Sequence, residues 1–203
     1  MSRIGILIFD GAEELDFVGP YEVFTMTNEV FHRAGEERPH DVQLIAERTE
    51  PVLCAKGMRV LPHTTTAATP NLDLLLVPGG QGTRREVENE ALLAWMRNIA
   101  TTADWVTSVC TGSLLLAGAG LARGKRVTTH WNFVDSLRAR GDVREVVEGV
   151  RYVCDGNVVT AAGVSAGIDM ALWLVGQMHG AALARKVQRA MEYEPVPPYA
   201  TDA

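Results

Sequence analysis

The chain of 203 residues contains little cysteine: only Cys54, Cys110 and Cys154. Three widely spaced cysteines form neither a disulfide framework nor a zinc-ligand pattern. The five histidines also lack the spacing of metal ligands, so we predict that the protein holds no metal ion. The N-terminus lacks the pattern of a secretory signal peptide, and together with the scarce cysteine this predicts a location in the reducing cytoplasm.

Positive charge and long apolar runs are also scarce. The net charge is -6 at pH 7 and the densest cationic stretch is the short segment 123–126, so we expect no nucleic-acid partner. No segment approaches the roughly 18 consecutive apolar residues of a membrane span, so we expect no membrane partner. With 47% hydrophobic and 22% charged residues, the composition is typical of globular proteins, and we predict a single domain over residues 1–203.

Short apolar runs alternate with helical patterns along most of the chain. The runs predict strands at 3–9, 41–47, 57–61, 72–78 and 105–109, and a β-hairpin at 151–161 around Asp155-Gly156-Asn157. The helical patterns cover 15–34, 86–101, 111–119 and 165–192, with Pro20 placed in a first turn and Ser165 as an N-cap. Strands buried on both faces and joined by helices predict an α/β fold, in which helices sandwich a mainly parallel sheet that carries a small β-hairpin.

Four polar or small-residue segments follow predicted strands: 10–16, 78–82, 110–112 and 162–165. In an α/β sheet, ligands bind beyond the carboxyl ends of the strands. We therefore expect these four segments to converge on one site.

Cys110 lies at the junction of a predicted strand and a predicted helix, in the stretch "WVTSVCTGSLLLAGAG". A nucleophile at such an elbow has small residues two positions away on each side, here Ser108 and Gly112. The positive end of the following helix favours the reactive thiolate. The backbone N–H of Thr111 is then a candidate oxyanion donor.

A second oxyanion donor needs a stretch of backbone that can approach the site closely. The Gly79-Gly80 pair supplies such a stretch. The alternative for Cys110 is a packed core thiol, and for Cys54 and Cys154 that interpretation is favoured because neither precedes a helix.

Asp16 is the candidate acid–base partner among the four carboxylates of segment 10–16. Its neighbours Leu15, Phe17 and Val18 are apolar, and a desolvated carboxyl has a raised pKa that lets it hold and pass a proton. The alternative is that Asp16 caps the predicted helix, because carboxylates are favourable in a first turn.

The segments "GILIFDGAEELDFVGPYEVF", "LLLVPGG" and "VTSVCTGSLLLAGAGLARGKRVTTHW" together resemble the ThiJ/PfpI (glutamine-amidotransferase-like) superfamily. The resemblance covers residues 3–178 and implies a flavodoxin-like, class I amidotransferase-like fold. It also implies contact between Cys110 and an acidic side chain at Asp16, where the superfamily usually has glutamate. Protease-like members carry histidine directly after the nucleophile, so Thr111 argues against peptidase activity.

Asp16 combined with Cys110-Thr111 resembles the isonitrile (isocyanide) hydratases of this superfamily. The resemblance implies hydration of an isocyanide to an N-substituted formamide through a thioimidate on Cys110. Asp16 would move protons, Thr111 would orient water, and backbone N–H groups at Gly80 and Thr111 would stabilise the tetrahedral intermediate. It further implies a small-molecule substrate, no cofactor and a homodimer.

Three alternatives stay open on the residues alone. The first is another cysteine-dependent enzyme of the superfamily, such as a glyoxalase-like or deglycase-like enzyme. The second is an amidohydrolase, and the third is a non-enzymatic redox or stress sensor. Similar domains also occur in transcription regulators that continue into a helix-turn-helix region. We expect no regulator here, because the chain ends at Ala203.

Gly79, His130 and Val164 are candidate pocket residues. His130 in "RVTTHW" would be a base within reach of Cys110, although a lone histidine beside a tryptophan is more often structural. Val164 lies in the stretch 161–167, in which five of seven residues are alanine or glycine. That composition predicts a close backbone approach, either to Cys110 or in the packing of a helix on the sheet.

Overall fold

The computed structural model describes residues 1–69 and 71–195. Its strands are short: β1 Ser2–Leu7, β2 His40–Ala46, β3 Val52–Leu53, β4 Arg59–Val60, β5 Thr64–Thr65, β6 Leu74–Val77, β7 Trp105–Val109, β8 Arg126–Val127, β9 Glu145–Val146, β10 Tyr152–Asp155 and β11 Val158–Ala161. Its α-helices are α1 Glu14–Arg33, α2 Thr83–Glu86, α3 Glu90–Ala100, α4 Gly112–Gly118, α5 Val134–Ala139, α6 Ala166–His179 and α7 Ala181–Ala190.

Seven strands form one sheet in the order β10-β11-β7-β6-β1-β2-β5. All neighbours are parallel except β10 and β11, which form an antiparallel hairpin at one edge. The four residues of β6 are fully buried, because helices cover both faces of the sheet. The predicted α/β fold with a parallel sheet and a small hairpin is confirmed.

Helix α1 packs against α6 through a close contact at Gly19-Pro20. A Cβ on Gly19 would lie 2.8 Å from Ile168 of α6, and a Cβ on Gly167 would lie 3.3 Å from Pro20. Because α1 begins at Glu14, Pro20 lies in the second turn and not in the first. The expected placement of Pro20 in the first turn is therefore wrong. Pro20 instead packs against Gly167 of α6.

Two predicted helices are each divided in the structure. The pattern at 86–101 corresponds to α3, preceded by the separate single turn α2. The pattern at 165–192 breaks at Gly180, whose φ of 88° ends α6 and starts α7. Ser165 precedes α6 as predicted, but its hydroxyl accepts a hydrogen bond from Arg151 and makes no cap bond to the helix.

The four segments expected to converge follow β1, β6, β7 and β11, which are adjacent in the sheet. Their carboxyl ends lie along the same edge, so the segments meet there as predicted. Across residues 1–69 and 71–195, none of the helices has the length and apolar character needed to span a bilayer.

Candidate active site

Cys110 follows β7 directly and has φ = 56°, in the left-handed region that non-glycine residues seldom adopt. Such a conformation costs about 1–3 kcal/mol and persists only where neighbouring groups enforce it. The Cys110 N–H donates to the carbonyl groups of Ala161 (3.1 Å) and Ala162 (2.7 Å). The Cys110 carbonyl accepts from Ser113 Oγ (3.1 Å) and Thr129 Oγ1 (3.0 Å). Four hydrogen bonds thus hold the elbow.

Glycines let the elbow sit directly against the end of β6. A Cβ on Gly112 would lie 2.2 Å from the Val77 carbonyl oxygen. A Cβ on Gly79 would lie 2.5 Å from Thr111 N and 2.9 Å from Cys110 Cβ. No larger side chain fits at either position without moving backbone, so both glycines are required by the close approach of two strand ends.

Asp16 is fully buried in the first turn of α1. Its Oδ2 accepts a 2.8 Å hydrogen bond from the Gly79 N–H. Its Oδ1 is buried without a hydrogen-bond partner of normal geometry among the described residues. Burial raises the pKa of Asp16 to about 7, while the Gly79 N–H and the neighbouring Cys110 thiol oppose that rise. The carboxyl group therefore holds or releases a proton close to neutral pH.

The Cys110 thiol is only 7% exposed. Burial and the negative charge of Asp16 raise its pKa to about 12, and contacts with Thr111 and the Val164 backbone oppose this. The helix terminus was expected to favour the thiolate. The Thr111 N–H at the start of the short α4 does lower the pKa of the thiol, but desolvation outweighs it. Sulfur and carboxyl share one proton in the resting state above pH 7.

Thr111 is buried beside the sulfur, and its hydroxyl interacts with the thiol. The Gly80 N–H, which the sequence predicted as an oxyanion donor, donates to Thr111 Oγ1 at 3.0 Å in this structure. The geometry of the left-handed Gly80, with φ = 116°, directs that N–H at the threonine. Thr111 also has its own N–H directed at the sulfur.

His130 and Val164 lie beside the elbow on the β11 side. The His130 ring packs on Gly163, where an added Cβ would lie 2.5 Å from Cδ2 of the ring. Within the described ranges, the groups that influence the thiol include Asp16, Thr111 and Val164, whereas the His130 ring contacts Gly163. Val164 has φ = 45° and contacts the thiol through its backbone.

A cavity of about 370 Å³ lies next to these residues. Its lining includes His130, Trp131, Val134, Val150 and Val164. A second cavity of about 430 Å³ lies beyond β1 and β2, lined by Asp10, Arg48, Arg85 and Glu86 among others. These charged groups pair with one another. The first cavity instead borders Val164, whose backbone lies against the Cys110 thiol.

Sequence reasoning missed three hydroxyl groups of the site. Thr129 and Ser113 lie within quoted motifs, yet only the fold shows that both bind the Cys110 carbonyl. Thr83 carries no sequence signal, and its Oγ1 lies 3.2 Å from Thr111 Oγ1. Of the other cysteines, Cys54 is buried and Cys154 exposed. The described ranges 1–69 and 71–195 contain no cluster of three potential metal ligands.

Comparison with known proteins finds relatives that match most of the chain. Residues 2–177 match the DJ-1/PfpI family. "Isonitrile hydratase" of Pseudomonas putida is 41% identical over 97% of this chain and 81% of that protein. "HTH-type transcriptional regulator CdhR" of Pseudomonas aeruginosa is 33% identical over 89% of this chain, which spans 52% of the regulator.

Solved structures show the same architecture. A THiJ/PfpI family protein from Pseudomonas syringae superposes with a TM-score of 0.86 and 32% identity, covering 97% of this chain and 77% of that chain. Drosophila melanogaster DJ-1beta, at 22% identity, shares the fold with a TM-score of 0.81 over 96% of this chain and all of that chain. The predicted relationship is confirmed, and the chain belongs to the DJ-1/PfpI (ThiJ/PfpI) family.

Proposed function

We propose that this protein is an isonitrile hydratase that converts an isocyanide, R–N≡C, to an N-substituted formamide. One observation carries the proposal: a fully buried carboxyl, Asp16, lies beside the thiol of a cysteine held on a left-handed elbow. The 41% identity to an isonitrile hydratase supports this choice among cysteine-dependent reactions. The side chains supply all the proton transfers and the nucleophile, so the reaction needs no cofactor.

In the first half-reaction, Cys110 sulfur attacks the terminal carbon of the isocyanide. The Asp16 carboxylate takes the thiol proton as the S–C bond forms, and then returns it to the same carbon. The product is the thioimidate R–N=CH–S–Cys110, and Asp16 is again a carboxylate. Because the proton moves from sulfur to Asp16 as attack occurs, the high pKa of the free thiol does not prevent reaction.

In the second half-reaction, water adds to the thioimidate carbon. Asp16 takes one proton from the water and passes it to the substrate nitrogen, which gives R–NH–CH(OH)–S–Cys110 and leaves Asp16 a carboxylate again. The Thr111 hydroxyl orients the water and the Thr111 N–H stabilises the developing charge. Collapse then breaks the C–S bond, the hydroxyl proton passes through Asp16 to sulfur, and R–NH–CHO leaves.

The R group has a candidate pocket in the cavity beside Val164. Its lining combines the apolar side chains Trp131, Val134 and Val150 with charged ones, Glu148 and Arg151, and its volume lies in the range of small-molecule sites. The apolar part suits a hydrocarbon substituent. Trp131 is 78% exposed, which leaves its ring free to contact a ligand. We propose that Gly79, His130 and Val164 form the walls nearest the sulfur.

The decisive experiment incubates the purified protein with isocyanides of aliphatic and aromatic R groups, with glyoxals and with glutamine. We expect formamide products from isocyanides alone, measured by mass spectrometry. Turnover of glyoxals without turnover of isocyanides would replace the proposal with a glyoxalase-like function. Trapping of a Cys110 adduct with the mass of an added isocyanide would support the thioimidate.

Two of the other candidate functions fit the site less well. A redox sensor needs an accessible thiol of low pKa, whereas burial raises the pKa of Cys110. An amidohydrolase would need His130 as a base for sulfur, and the His130 ring instead packs on Gly163.

We further propose a cytoplasmic homodimer with one domain over residues 1–203. The first turns of α1 expose Leu15 and Val18, and the adjoining β3 and the loop after it expose Leu53 and Met58. Glu14 joins that loop to the helix by accepting from Met58 N–H, so these apolar groups lie on connected surface. Light scattering after gel filtration tests the dimer, and Val18→Asp is expected to produce monomers.

A further inference from the structure

Thr83 is a buried threonine whose hydroxyl faces the site and not the solvent. It is the first residue of α2 and is only 1% exposed. Its Oγ1 lies 2.8 Å from the Gly80 carbonyl oxygen and 3.2 Å from Thr111 Oγ1. Thr83 therefore adjoins Thr111.

The number of hydrogens limits how these groups can pair. The Gly80 N–H can only donate, so Thr111 Oγ1 must accept it at 3.0 Å. Thr83 has one hydroxyl hydrogen and two acceptors within reach, the Gly80 carbonyl and Thr111 Oγ1. When Thr83 donates to Gly80, the Thr111 hydrogen is able to turn toward Thr83. When Thr83 donates to Thr111, the Thr111 hydrogen has two acceptors left, the Gly80 carbonyl at 3.4 Å and the sulfur of Cys110.

We propose that Thr83 is a positioning residue that directs the Thr111 hydroxyl hydrogen at Cys110 sulfur as the sulfur gains negative charge. A hydrogen bond to a charged acceptor is about twice as strong as one between neutral groups, which favours the arrangement in which Thr83 donates to Thr111. This inference rests on the proposed function, in which sulfur becomes charged during attack and again when the formamide leaves. Thr83 touches no reacting atom and acts through Thr111.

The charged groups around the sulfur do not stabilise negative charge on it. Asp16 from α1 faces the thiol, and Glu13 and Lys56 act on Asp16 from the adjoining loops with opposite signs. The negative charge of Asp16 opposes a thiolate. A neutral donor held by a second hydroxyl is therefore the group best placed to stabilise charge on sulfur.

The test measures the rate of Cys110 alkylation by iodoacetamide against pH, in protein carrying Cys54→Ala and Cys154→Ala. Thr83→Val keeps the shape but removes the hydroxyl, and we expect alkylation below the thiol pKa to slow by roughly 3- to 10-fold. Thr83→Ser keeps the hydroxyl and is expected to restore the rate. Thr107→Val is the matched control, because Thr107 is equally buried but donates to the Leu75 carbonyl away from the site.

A second comparison distinguishes an effect of Thr83 that acts through Thr111 from a general effect of the substitution on the alkylation rate. In protein carrying Thr111→Val, Thr83→Val is expected to cause no further slowing, because the hydroxyl that it orients is absent. An unchanged pH profile in Thr83→Val, or equal slowing in Thr107→Val, would overturn the inference. If valine prevents folding, Thr83→Ala replaces it with the same expected result. The alkylation rate needs no substrate turnover, so failure of the proposed hydratase activity is seen separately.

Discussion

The Gly79 N–H donates a 2.8 Å hydrogen bond to Asp16 Oδ2, which links the loop after β6 to the first turn of α1. Gly79 is able to do this because it has no side chain to collide with Thr111 N. The bond fixes the carboxyl while its other oxygen has no normal hydrogen-bond partner among the described residues. One backbone amide thus positions the acid, and the same backbone accommodates the cysteine elbow.

Replacing Cys110 tests the nucleophile. Cys110→Ala is expected to abolish formamide formation, because no other described thiol lies at a strand-to-helix elbow. Cys54→Ala and Cys154→Ala are expected to retain turnover, since one thiol is buried elsewhere and the other is exposed on β10. Turnover that survives in Cys110→Ala would exclude the covalent route.

Replacing Asp16 separates proton transfer from activation of the nucleophile. Asp16→Asn is expected to lower the turnover rate at least roughly 10²-fold, because the amide cannot exchange the proton. The same change removes a negative charge that raises the pKa of Cys110, so alkylation of the thiol is expected to become faster. Asp16→Glu is expected to retain part of the activity. A rate for Asp16→Asn close to that of the unaltered protein would leave the carboxyl a purely structural role.

The pH dependence of kcat/KM tests the shared proton. Below about pH 7 both Asp16 and Cys110 are protonated, and the carboxyl cannot accept the thiol proton. We therefore expect kcat/KM to rise about tenfold per pH unit up to about pH 7 and then to level off. Initial rates at low isocyanide concentration measure this. A fall above pH 7 would mean that the doubly protonated pair reacts.

The contact between Gly163 and His130 predicts that substitutions at these two residues have coupled effects on the free energy of unfolding. Gly163→Ala is expected to displace the His130 ring and lower the free energy of unfolding by about 1–3 kcal/mol. Slower turnover is also expected, because the adjoining Val164 backbone contacts the thiol. In protein carrying His130→Ala the loss of stability is expected to be much smaller, and urea denaturation of the four proteins measures the coupling. Equal losses in both backgrounds would contradict the contact.

A buried histidine, His40, paired with the half-buried His179 predicts acid sensitivity away from the site. His40 at the start of β2 is 3% exposed, and its Nε2 lies 3.1 Å from Nε2 of His179 in α6. Burial lowers the pKa of His40 to about 4, whereas an unfolded histidine has an ordinary pKa of about 6.5. The stability that neutral His40 contributes is complete above about pH 6.5 and is lost as pH falls toward 4, on the order of 3 kcal/mol in total.

The matched variants for this prediction are His40→Gln and His32→Gln. Glutamine cannot gain a proton, so His40→Gln is expected to flatten the dependence of Tm on pH between about pH 6.5 and pH 4. His32 is exposed, and its replacement is expected to leave the dependence unchanged. An unchanged slope in His40→Gln would assign the acid sensitivity to other groups.

The positions of Cys110 and Asp16 followed from local signals in the sequence. Cys110 interrupts an apolar run at a strand end, and Asp16 lies beside the buried Phe17, so strand-end rules place both at one edge of the sheet. The charge state of the sulfur did not follow, because the desolvation of a thiol depends on how every covering element packs. Helix polarity alone therefore predicted the wrong direction for its pKa.

Contacts between distant residues account for the other differences. The Gly80 N–H meets Thr111, and Thr83 meets Thr111, only because β6 and β7 are neighbours in the sheet. Hydrogen bonds of this kind leave no periodicity or spacing in the sequence. Pro20 shows the same limit, since its place inside α1 depends on close packing with α6.

The left-handed conformation of Cys110 ties the properties of the thiol to completion of the fold. The elbow is held by Ala162 after β11, and its sulfur meets Asp16 from α1, which lie in segments far apart along the chain. Contacts between distant segments form after local ones, because long loops must close first. In an incompletely folded chain, Cys110 is therefore an ordinary flexible thiol, open to any alkylating agent. Loss of that reactivity during refolding is therefore expected to report the assembly of the segments that carry Ala162 and Asp16 around Cys110.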